Sequence, residues 1–307
     1  MPELPVIWLK EHLTPYDVYT HGVTRIIVDE HTPYQHMQIV ETPTCGRALI
    51  LDDHWQSSTA DEFFYHEPLV HGTFVLHALA ASTDRGGPRS VLIAGGGDWA
   101  AARDALSWNT VERVVLAEID QRVLDACRKH FPGFHAKCED DPRLEVIVGD
   151  AFETIDRAAA DPAAAFDVIL YDLSDPIEDG PSAHLFTKAT FERTKKALAP
   201  GGVLAVQAGG VAPAEMHTHL AVHAALRSVF PRVLPMITSV PIFATPLGFL
   251  LAPDAPITAS PEPERTNAIL RQAGVDGLRM LDGRSLLASL QPPVYLREAA
   301  IHAPRAV

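Results

Sequence analysis

The chain has 307 residues, of which 47% are hydrophobic and 21% are charged, a composition that supports a large folded core and argues against intrinsic disorder. Its formal net charge of −14 argues against nucleic acid and anionic membranes as partners and is compatible with a cationic ligand. No run of about 18 apolar residues is present, so we expect no membrane span. Three cysteines and the lack of a signal-peptide pattern predict a cytoplasmic protein with reduced thiols.

The first part of the chain has the composition of short β-strands separated by Pro and Gly. The predicted strands cover 23–29, 38–41, 47–51 and 55–59. A hairpin turn over 51–54 joins the last two of them. From 61 to 79 the apolar residues recur at helical spacing. We therefore predict an N-terminal β-strand domain over 1–75 and a second domain over 76–307.

From residue 90 onward, predicted strands alternate with predicted helices. The strands cover 90–94, 113–118, 144–148, 166–171, 203–207, 233–240 and 248–252. The helices cover 100–107, 121–130, 190–198 and 214–230, and a helical tail begins near 265–273. Alternation at this spacing predicts an α/β fold with a parallel, doubly wound sheet. The strands are almost entirely apolar, as expected of strands buried on both faces.

A glycine-rich turn follows the first of these strands and predicts a nucleoside site. Gly95 and Gly97 would let a ligand approach the backbone closely, and Glu118 ends the next strand, where a carboxylate can accept hydrogen bonds from ribose hydroxyls. Asp150 ends the third strand, at a rim that suits the amino group of adenine. The turn also matches the dinucleotide fingerprint, so NAD is a rival ligand. The carboxylate of Asp98 would repel a pyrophosphate and attract a sulfonium, which favours an S-adenosyl ligand.

A second acidic segment leaves the strand over 166–171. Asp172 and Asp175 lie three residues apart at the end of that strand, and Glu178 follows in a Pro- and Gly-containing loop. The C-terminal ends of parallel strands are where such sheets place their chemistry, so these carboxylates are candidates for binding a cation. The alternative interpretation is an ordinary turn, in which Asp-Pro is common.

Several short motifs resemble those of the spermidine-synthase family, a family of polyamine aminopropyltransferases. In chain order they are Tyr34-Gln35, Leu51-Asp52-Asp53, Gln56, Asp61-Glu62-Phe63-Phe64-Tyr65-His66-Glu67, Gly95-Gly96-Gly97-Asp98, Glu118-Ile119-Asp120, Gly149-Asp150-Ala151, Asp172-Leu173-Ser174-Asp175-Pro176 and Gly201-Gly202-Val203 followed by Gln207. Each motif is short, but their order over about 20–210 is specific. The resemblance implies a small N-terminal β domain before a Rossmann-like, methyltransferase-type domain.

The resemblance also implies the reaction, in which an aminopropyl group moves from decarboxylated S-adenosylmethionine to an amine and 5′-methylthioadenosine is released. The residues expected at the donor are Gln35, Gln56, His66, Gly95, Gly97, Asp98, Glu118, Asp150, Ala151 and Asp172. Those expected around the acceptor are Tyr65, Asp172, Asp175, Glu178 and Gln207. No metal is implied, and members of the family are homodimers or homotetramers.

Asp172 is the candidate for accepting the proton of the attacking amine. A free Asp has a pKa of about 3.9 and an amine one of about 10.4, so we expect Asp172 to act with Tyr65 or through water. Asp175 and Glu178 would hold the distal ammonium of the acceptor.

The sequence departs from the family pattern at several positions. Trp99 and Ala100 stand where the family has Gly-Gly, and packing of Trp99 into the core is favoured over a role in the donor pocket. Pro241-Ile242-Phe243 occupies a region where the family often has Tyr, which is similar to the thermospermine-synthase and aminopropylagmatine-synthase branch. The acceptor therefore stays open among putrescine, agmatine, cadaverine and spermidine.

Two other functions stay open at this point. One is an S-adenosylmethionine-dependent N-methyltransferase of a small amine, and the other is a non-catalytic polyamine-binding homologue. His219 and His223 share a face of the predicted helix over 214–230, and we interpret them as packed or exposed histidines in preference to metal ligands.

Overall fold

The computed structural model describes residues 7–80, 86–138, 140–174 and 183–302. The N-terminal part contains two antiparallel sheets. The first is a hairpin of β1 (Ile7–His12) and β2 (Val18–Val23), and the second is the four-stranded meander of β3 (Arg25–His31), β4 (His36–Thr42), β5 (Gly46–Leu51) and β6 (His54–Ser58). The predicted turn between β5 and β6 is present. Asp52 and Asp53 have φ of 47° and 65°, the left-handed conformation that two-residue hairpin turns require and that Asp tolerates.

A buried helical segment leads from the small sheets to the large one. It consists of α1 (Phe63–His66), a π-helical turn (Glu67–Gly72) and α2 (Thr73–Ala80). Every residue of the π-helical turn is buried, and π-helical turns are frequent at functional sites. The predicted domain boundary at residue 75 falls inside α2 and stays a prediction.

The large sheet has seven strands in the order β12-β13-β11-β10-β7-β8-β9. Its strands are β7 (Ser90–Gly95), β8 (Arg113–Glu118), β9 (Leu144–Val148), β10 (Phe166–Asp172), β11 (Leu198–Gly210), β12 (Leu234–Ser239) and β13 (Pro246–Pro253). The prediction of an all-parallel sheet is wrong for β13, which runs antiparallel to both β11 and β12. The link from β12 to β13 is only a short turn around Pro241–Phe243, and a parallel connection needs a crossover of a dozen or more residues.

Helices cover both faces of this sheet. They are α3 (Ala100–Leu106), α4 (Gln121–His130), α5 (Pro132–His135), α6 (Ala151–Ala160), α7 (Lys188–Lys196), α8 (His217–Arg227), α9 (Pro263–Gln272), α10 (Gly283–Ser289) and α11 (Val294–His302). Along β10, Val168 and Leu170 belong to one core and Ile169 and Tyr171 to the other. This two-sided burial explains why the strand sequences are apolar without alternation. Within the described ranges, no helix is long and apolar enough to cross a membrane.

The C-terminal tail is attached to the helical segment that precedes the large sheet. The carboxylate of Glu67 accepts hydrogen bonds from the backbone N–H groups of Arg279, Met280 and Leu281, each at 2.8 Å. Since Glu67 directly follows Tyr65 and His66 in the chain, these bonds also fix the position of both side chains.

The chain changes direction across the sheet between β7 and β10. From β7 it proceeds outward to β8 and β9, and then returns to β10 on the other side of β7. The crevice at such a switch point, outside the C-terminal ends of the strands, is where open α/β sheets bind ligands.

Candidate active site

The glycine turn after β7 is built around the end of β10. Gly95 and Gly96 have φ of 85° and 73°, and a Cβ atom on Gly95 would overlap the backbone oxygen of Asp172. The N–H of Gly96 donates to that same oxygen at 3.0 Å. A Cβ on Gly97 would lie 3.0 Å from Oε2 of Glu118. The glycines therefore allow the carboxylates at the ends of β8 and β10 to pack against one turn.

Tyr65 and Asp172 form a direct pair. The hydroxyl of Tyr65 donates to Oδ1 of Asp172 at 2.6 Å. The ring of Tyr65 is packed edge-on against Phe249 of β13, with 5.1 Å between centroids, and against Phe243, at 6.3 Å. These aromatic contacts fix the ring from the side of β13 and so aim the hydroxyl at the end of β10.

A carboxylate lies beside each of the two ring nitrogens of His66. Nδ1 is 3.0 Å from the backbone oxygen of Glu62 and 3.1 Å from its Oε2, and Nε2 is 3.6 Å from Oδ2 of Asp98. The other oxygen of Asp98 accepts the backbone N–H of Ala100 at 3.0 Å and so caps the start of α3. Asp98 therefore has both the capping role of an ordinary turn residue and a charge directed at His66.

Burial and neighbouring charges shift the pKa values of this cluster in opposite directions. Burial and, to a smaller extent, Asp98 raise the pKa of Asp172 to about 6, against the lowering effect of His66 and the Tyr65 hydroxyl. Burial alone would lower the pKa of His66, but Asp98, Glu62 and Asp172 raise it to about 10. Burial also raises the pKa of Glu118 to about 7. The cluster thus contains an imidazolium, and the pKa values of two of its carboxyl groups, Asp172 and Glu118, are raised toward neutrality.

His66, Asp98 and Asp172 offer ligand atoms within 4.8 Å of one another, close enough to hold a metal ion; they are the only such group of His, Cys, Asp and Glu in the part of the chain that the structure describes. Nδ1 of His66 faces a backbone carbonyl and must donate to it, and Nε2 faces Asp98. A ring whose two nitrogens both carry protons has no lone pair for a metal. The arrangement is typical of a buried ion pair.

Two of the carboxylates that the sequence predicted at the donor lie at the ends of β8 and β9. Glu118 is buried, and its Oε1 accepts the backbone N–H of Asp120 at 2.9 Å. Asp150 is exposed after β9 and caps α6 by accepting the N–H of Phe152, while Ala151 is buried beneath it. Ile119 and Val148, 43% and 48% exposed, add an apolar surface at the same rim.

Gln35 reaches the large domain through Asp120. Its Nε2 donates to Oδ2 of Asp120 at 3.1 Å, and the hydroxyl of Thr32 donates to the same oxygen at 2.6 Å. Asp120 caps α4 with its other oxygen. The N-terminal sheet is thereby joined to the loop that follows Glu118.

The remaining predicted residues have separate positions. Gln56 donates to the backbone oxygen of His54 at 3.2 Å, within the small sheet. Gln207 is buried on β11 and is paired in the sheet with Phe249, the residue whose ring packs against Tyr65. Asp175 and Glu178 lie outside the described residues.

Four residues of this site were missed in the sequence: Glu62, Arg103, Asp120 and Ile119. All four lie inside or near the quoted motifs. Their closeness in sequence to residues predicted to bind the substrates was therefore the signal that could have identified them.

Trp99 was predicted more successfully. It is 2% exposed, its Nε1 donates to the backbone oxygen of Leu124 at 3.1 Å, and Arg128 lies over its ring. His219 and His223 are buried and their pKa values are lowered, chiefly by burial, to about 3 and about 4, as fits packed neutral histidines.

Comparison with known families gives two matches. Residues 62–255 match the spermine/spermidine synthase domain, and residues 7–58 match the spermidine synthase tetramerisation domain. Over 296 residues the chain is 43% identical to a polyamine aminopropyltransferase of Synechococcus sp. (strain JA-2-3B'a(2-13)), covering 95% of this chain and 92% of that protein. It is 33% identical to a polyamine aminopropyltransferase of Sulfurisphaera tokodaii over 291 residues, with the same coverages of 95% and 92%.

Solved structures of similar fold are also found. A spermidine synthase in complex with the transition state analogue AdoDATO superposes with a TM-score of 0.83 at 24% identity, covering 96% of this chain and 95% of that one. The spermidine synthase of Thermotoga maritima gives a TM-score of 0.81 at 24% identity, with coverages of 96% and 94%. This likeness confirms the predicted fold class.

Proposed function

Because the chain belongs to the spermine/spermidine synthase family, we propose that it transfers the aminopropyl group of decarboxylated S-adenosylmethionine to an amine, as a polyamine aminopropyltransferase. The predicted family and enzyme class are confirmed by relatives that carry this name over 95% of the chain. The observation that supports the chemistry best is the Tyr65–Asp172 pair beside His66 and Asp98, at the switch point of the sheet.

The reaction is a displacement at carbon. The acceptor nitrogen attacks the aminopropyl carbon bonded to the sulfonium, the carbon–sulfur bond breaks, and its electron pair stays on sulfur to give methylthioadenosine. Asp172 takes up the proton that the nitrogen releases, and Tyr65 orients the carboxylate by donating to one of its oxygens. Much of the rate comes from alignment of nitrogen, carbon and sulfur in one line.

The donor would lie along the rim from β7 to β9. Glu118 accepts the ribose hydroxyls, Asp150 accepts from the adenine amino group, and Ile119 with Val148 contacts the face of the base. Gly95, Gly97 and Ala151 allow close approach of the backbone. Two further donor contacts come from Gln56 and, next to Asp120, from Gln35.

The acceptor would extend from Asp172 toward β11. Its reacting nitrogen lies at Tyr65 and Asp172, Gln207 contacts its chain, and the loop with Asp175 and Glu178 binds the distal ammonium. Putrescine, agmatine, cadaverine and spermidine all remain candidates. Intact S-adenosylmethionine is disfavoured as the donor because its carboxylate would face Asp98 and Asp172.

The N-terminal segment is proposed to form the contact between subunits. The match to a tetramerisation domain over 7–58 covers the small sheets, and the hairpin of β1 and β2 exposes large apolar side chains. Trp8 is 57% exposed, Val18 46% and Ile7 37%. A homodimer or homotetramer would bury them.

A product assay tests the proposal. The enzyme is incubated with decarboxylated or intact S-adenosylmethionine and each of the four amines, and mass spectrometry follows methylthioadenosine, adenosylhomocysteine and the alkylated amine. We expect methylthioadenosine with an aminopropylated amine. Asp172→Asn should lower turnover by about 10²-fold or more, whereas Glu153→Gln, at an exposed position of α6, should not. Methylated amine with adenosylhomocysteine, or amine binding without turnover, would refute the proposal.

A further inference from the structure

A carboxylate behind the active site holds His66 in place. Glu62 lies directly before α1, and its side chain is 11% exposed. Arg103 of α3 donates to both of its oxygens, at 2.9 Å to Oε2 and 3.3 Å to Oε1, and Oε2 is also 3.1 Å from Nδ1 of His66. Burial alone would raise the pKa of Glu62, but its bonds to His66 and Arg103 lower it to about 2.

Three charged groups face His66 within the described residues, and all three are carboxylates. Glu62 approaches Nδ1 from the turn before α1, Asp98 approaches Nε2 from the turn after β7, and Asp172 faces the ring from the end of β10. The uncharged ring of Tyr65 lies edge-on at 4.9 Å. The guanidinium of Arg103 pairs with Glu62 and not with His66. The surroundings therefore stabilise the imidazolium form of His66 from three elements.

We propose that Glu62, held by Arg103, is a positioning residue that keeps His66 an imidazolium, and that this buried cation sets the protonation of both Asp172 and the reacting amine. The inference rests on the proposed function in that it takes Asp172 as the proton acceptor. Glu62 does not touch substrate in this scheme and acts only through His66.

A fixed cation among these acids has two effects on the reaction. It offsets the repulsion between Asp98 and Asp172, so that Asp172 stays a carboxylate at neutral pH. It also disfavours a second positive charge nearby, so that the amine nitrogen next to it loses its proton more readily. The distal ammonium, bound away from His66, keeps its charge. The imidazolium thus distinguishes the reacting end of a polyamine from its other end.

The direct test is the titration of His66 in the free enzyme. ¹⁵N-histidine NMR, with the signal assigned by comparison with His66→Gln, should show His66 protonated beyond pH 9 in the wild type. Glu62→Gln keeps the shape and removes the charge, and should lower the titration midpoint of His66 by at least about one pH unit. Glu41→Gln is the matched control. Glu41 lines the same surface cleft as Glu62 and Arg103, but its carboxylate pairs with Arg47. Its removal should leave the titration midpoint of His66 unchanged.

Kinetics supply the second readout. In Glu62→Gln the kcat should stay near the wild-type value at pH 7, where His66 is still protonated, and should begin to fall at alkaline pH about one pH unit lower than in the wild type, as His66 loses its proton. Glu62→Asp, which restores the charge, should recover part of the loss. A defect that is equal at all pH values would instead indicate a merely structural role and overturn the proposal.

The two proposals fail separately. If the wild-type enzyme forms no methylthioadenosine, the proposed function is wrong, yet the titration of His66 still decides this inference. If His66 titrates near its ordinary value in the wild type, or if Glu62→Gln leaves its midpoint unchanged, this inference is wrong whatever the enzyme catalyses. The wild-type titration does not use Glu62→Gln, so the test holds even if Glu62→Gln folds poorly.

Discussion

The hydroxyl of Tyr65 donates to Oδ1 of Asp172 at 2.6 Å, from a ring fixed by Phe249 and Phe243. Such a bond to a charged acceptor contributes roughly 1.5–3 kcal/mol. It lowers the pKa of Asp172 and orients the oxygen that takes the proton, so both its energy and its direction affect the reaction.

We expect Tyr65→Phe to lower kcat by roughly tenfold to a hundredfold, since only the hydroxyl is lost and the ring packing is kept. The KM of the donor should change little, because the ribose and base contacts are remote from Tyr65. Steady-state kinetics with each substrate varied in turn separates the two effects. Tyr19→Phe, a hydroxyl removed from β2, is the control. An unchanged kcat in Tyr65→Phe would show that the bond has no part in catalysis.

Asp172 gives the site its pH dependence. Because burial raises its pKa to about 6, activity should fall as pH falls through about 6, not through the range of a free Asp. Its stability effect has the opposite sign. A carboxyl whose pKa is raised by folding stabilises the protein when protonated, and this contribution is lost as pH rises through the folded-state value.

Asp172→Asn should therefore retain or raise Tm at pH 8 while activity is lost, and the Tm difference from wild type should shrink below pH 6. Thermal unfolding at pH 5 and pH 8 measures this. A variant that is strongly destabilised at pH 8 would show that the charged form of Asp172 holds the fold together.

At this scale the motifs at the ends of β7, β8 and β10 predicted that Asp98, Glu118 and Asp172 would share one rim of the sheet, whereas Tyr65 was expected only from the family resemblance. The sequence did not predict Glu62 or Arg103 as partners of His66. The contact between Glu62 and Arg103 spans 41 positions and depends on how α1 packs against α3, which no local pattern encodes.

Among the elements, α3 begins in an unusual way. Trp99, the residue before it, has φ of 76°, a left-handed conformation that costs a bulky residue about 1–3 kcal/mol. The ring compensates by packing against α4, where it donates to Leu124 and lies under Arg128. At this position the chain therefore accepts backbone strain in exchange for a buried side chain.

Replacing Trp99 tests this exchange. Trp99→Ala should destabilise by about 3–5 kcal/mol because the packed ring is lost. Trp99→Gly should be less destabilising than Trp99→Ala by about 1 kcal/mol, because Gly removes the strain as well. At Ala100, inside the helix, Gly should be worse than Ala by roughly 0.5–1 kcal/mol. Denaturant unfolding gives the order. If Trp99→Ala is at least as stable as Trp99→Gly, the positive φ at position 99 costs no free energy of folding.

The strands of the large sheet show what local patterns miss. Positions of β8 and β9 were predicted to the residue, because apolar runs bounded by turn residues mark buried strands. The antiparallel direction of β13 was not predicted, because an apolar strand has the same sequence pattern in a parallel and in an antiparallel sheet. The hairpin of β1 and β2 was not predicted from the sequence. The sequence of β1, IWLKEH, does not alternate apolar and polar residues, and the burial of the strand alternates little.

At the scale of the whole molecule, the two parts are joined beside the proposed donor site. Asp120 is 1% exposed, accepts Thr32 and Gln35 from the N-terminal part, and receives its position from Glu118 through the bond to its N–H. A change in the orientation of the small sheets would therefore move the loop after β8. The tetramerisation match and the donor rim thus involve one connected set of contacts.

The net charge of −14 acts on substrates before they reach this rim. Attraction of a polyamine grows with its charge and is screened by salt, with a Debye length of about 10 Å at 0.1 M. Raising NaCl from about 0.05 to 0.5 M should increase the KM of a triamine acceptor roughly three- to tenfold and that of a diamine less, with the decarboxylated donor, which carries a sulfonium and an ammonium, affected about as much as a diamine. The kcat should stay nearly constant, because the reacting groups are buried and poorly screened. Equal salt dependence for all three substrates would show that local contacts, and not the acidic surface, control their capture.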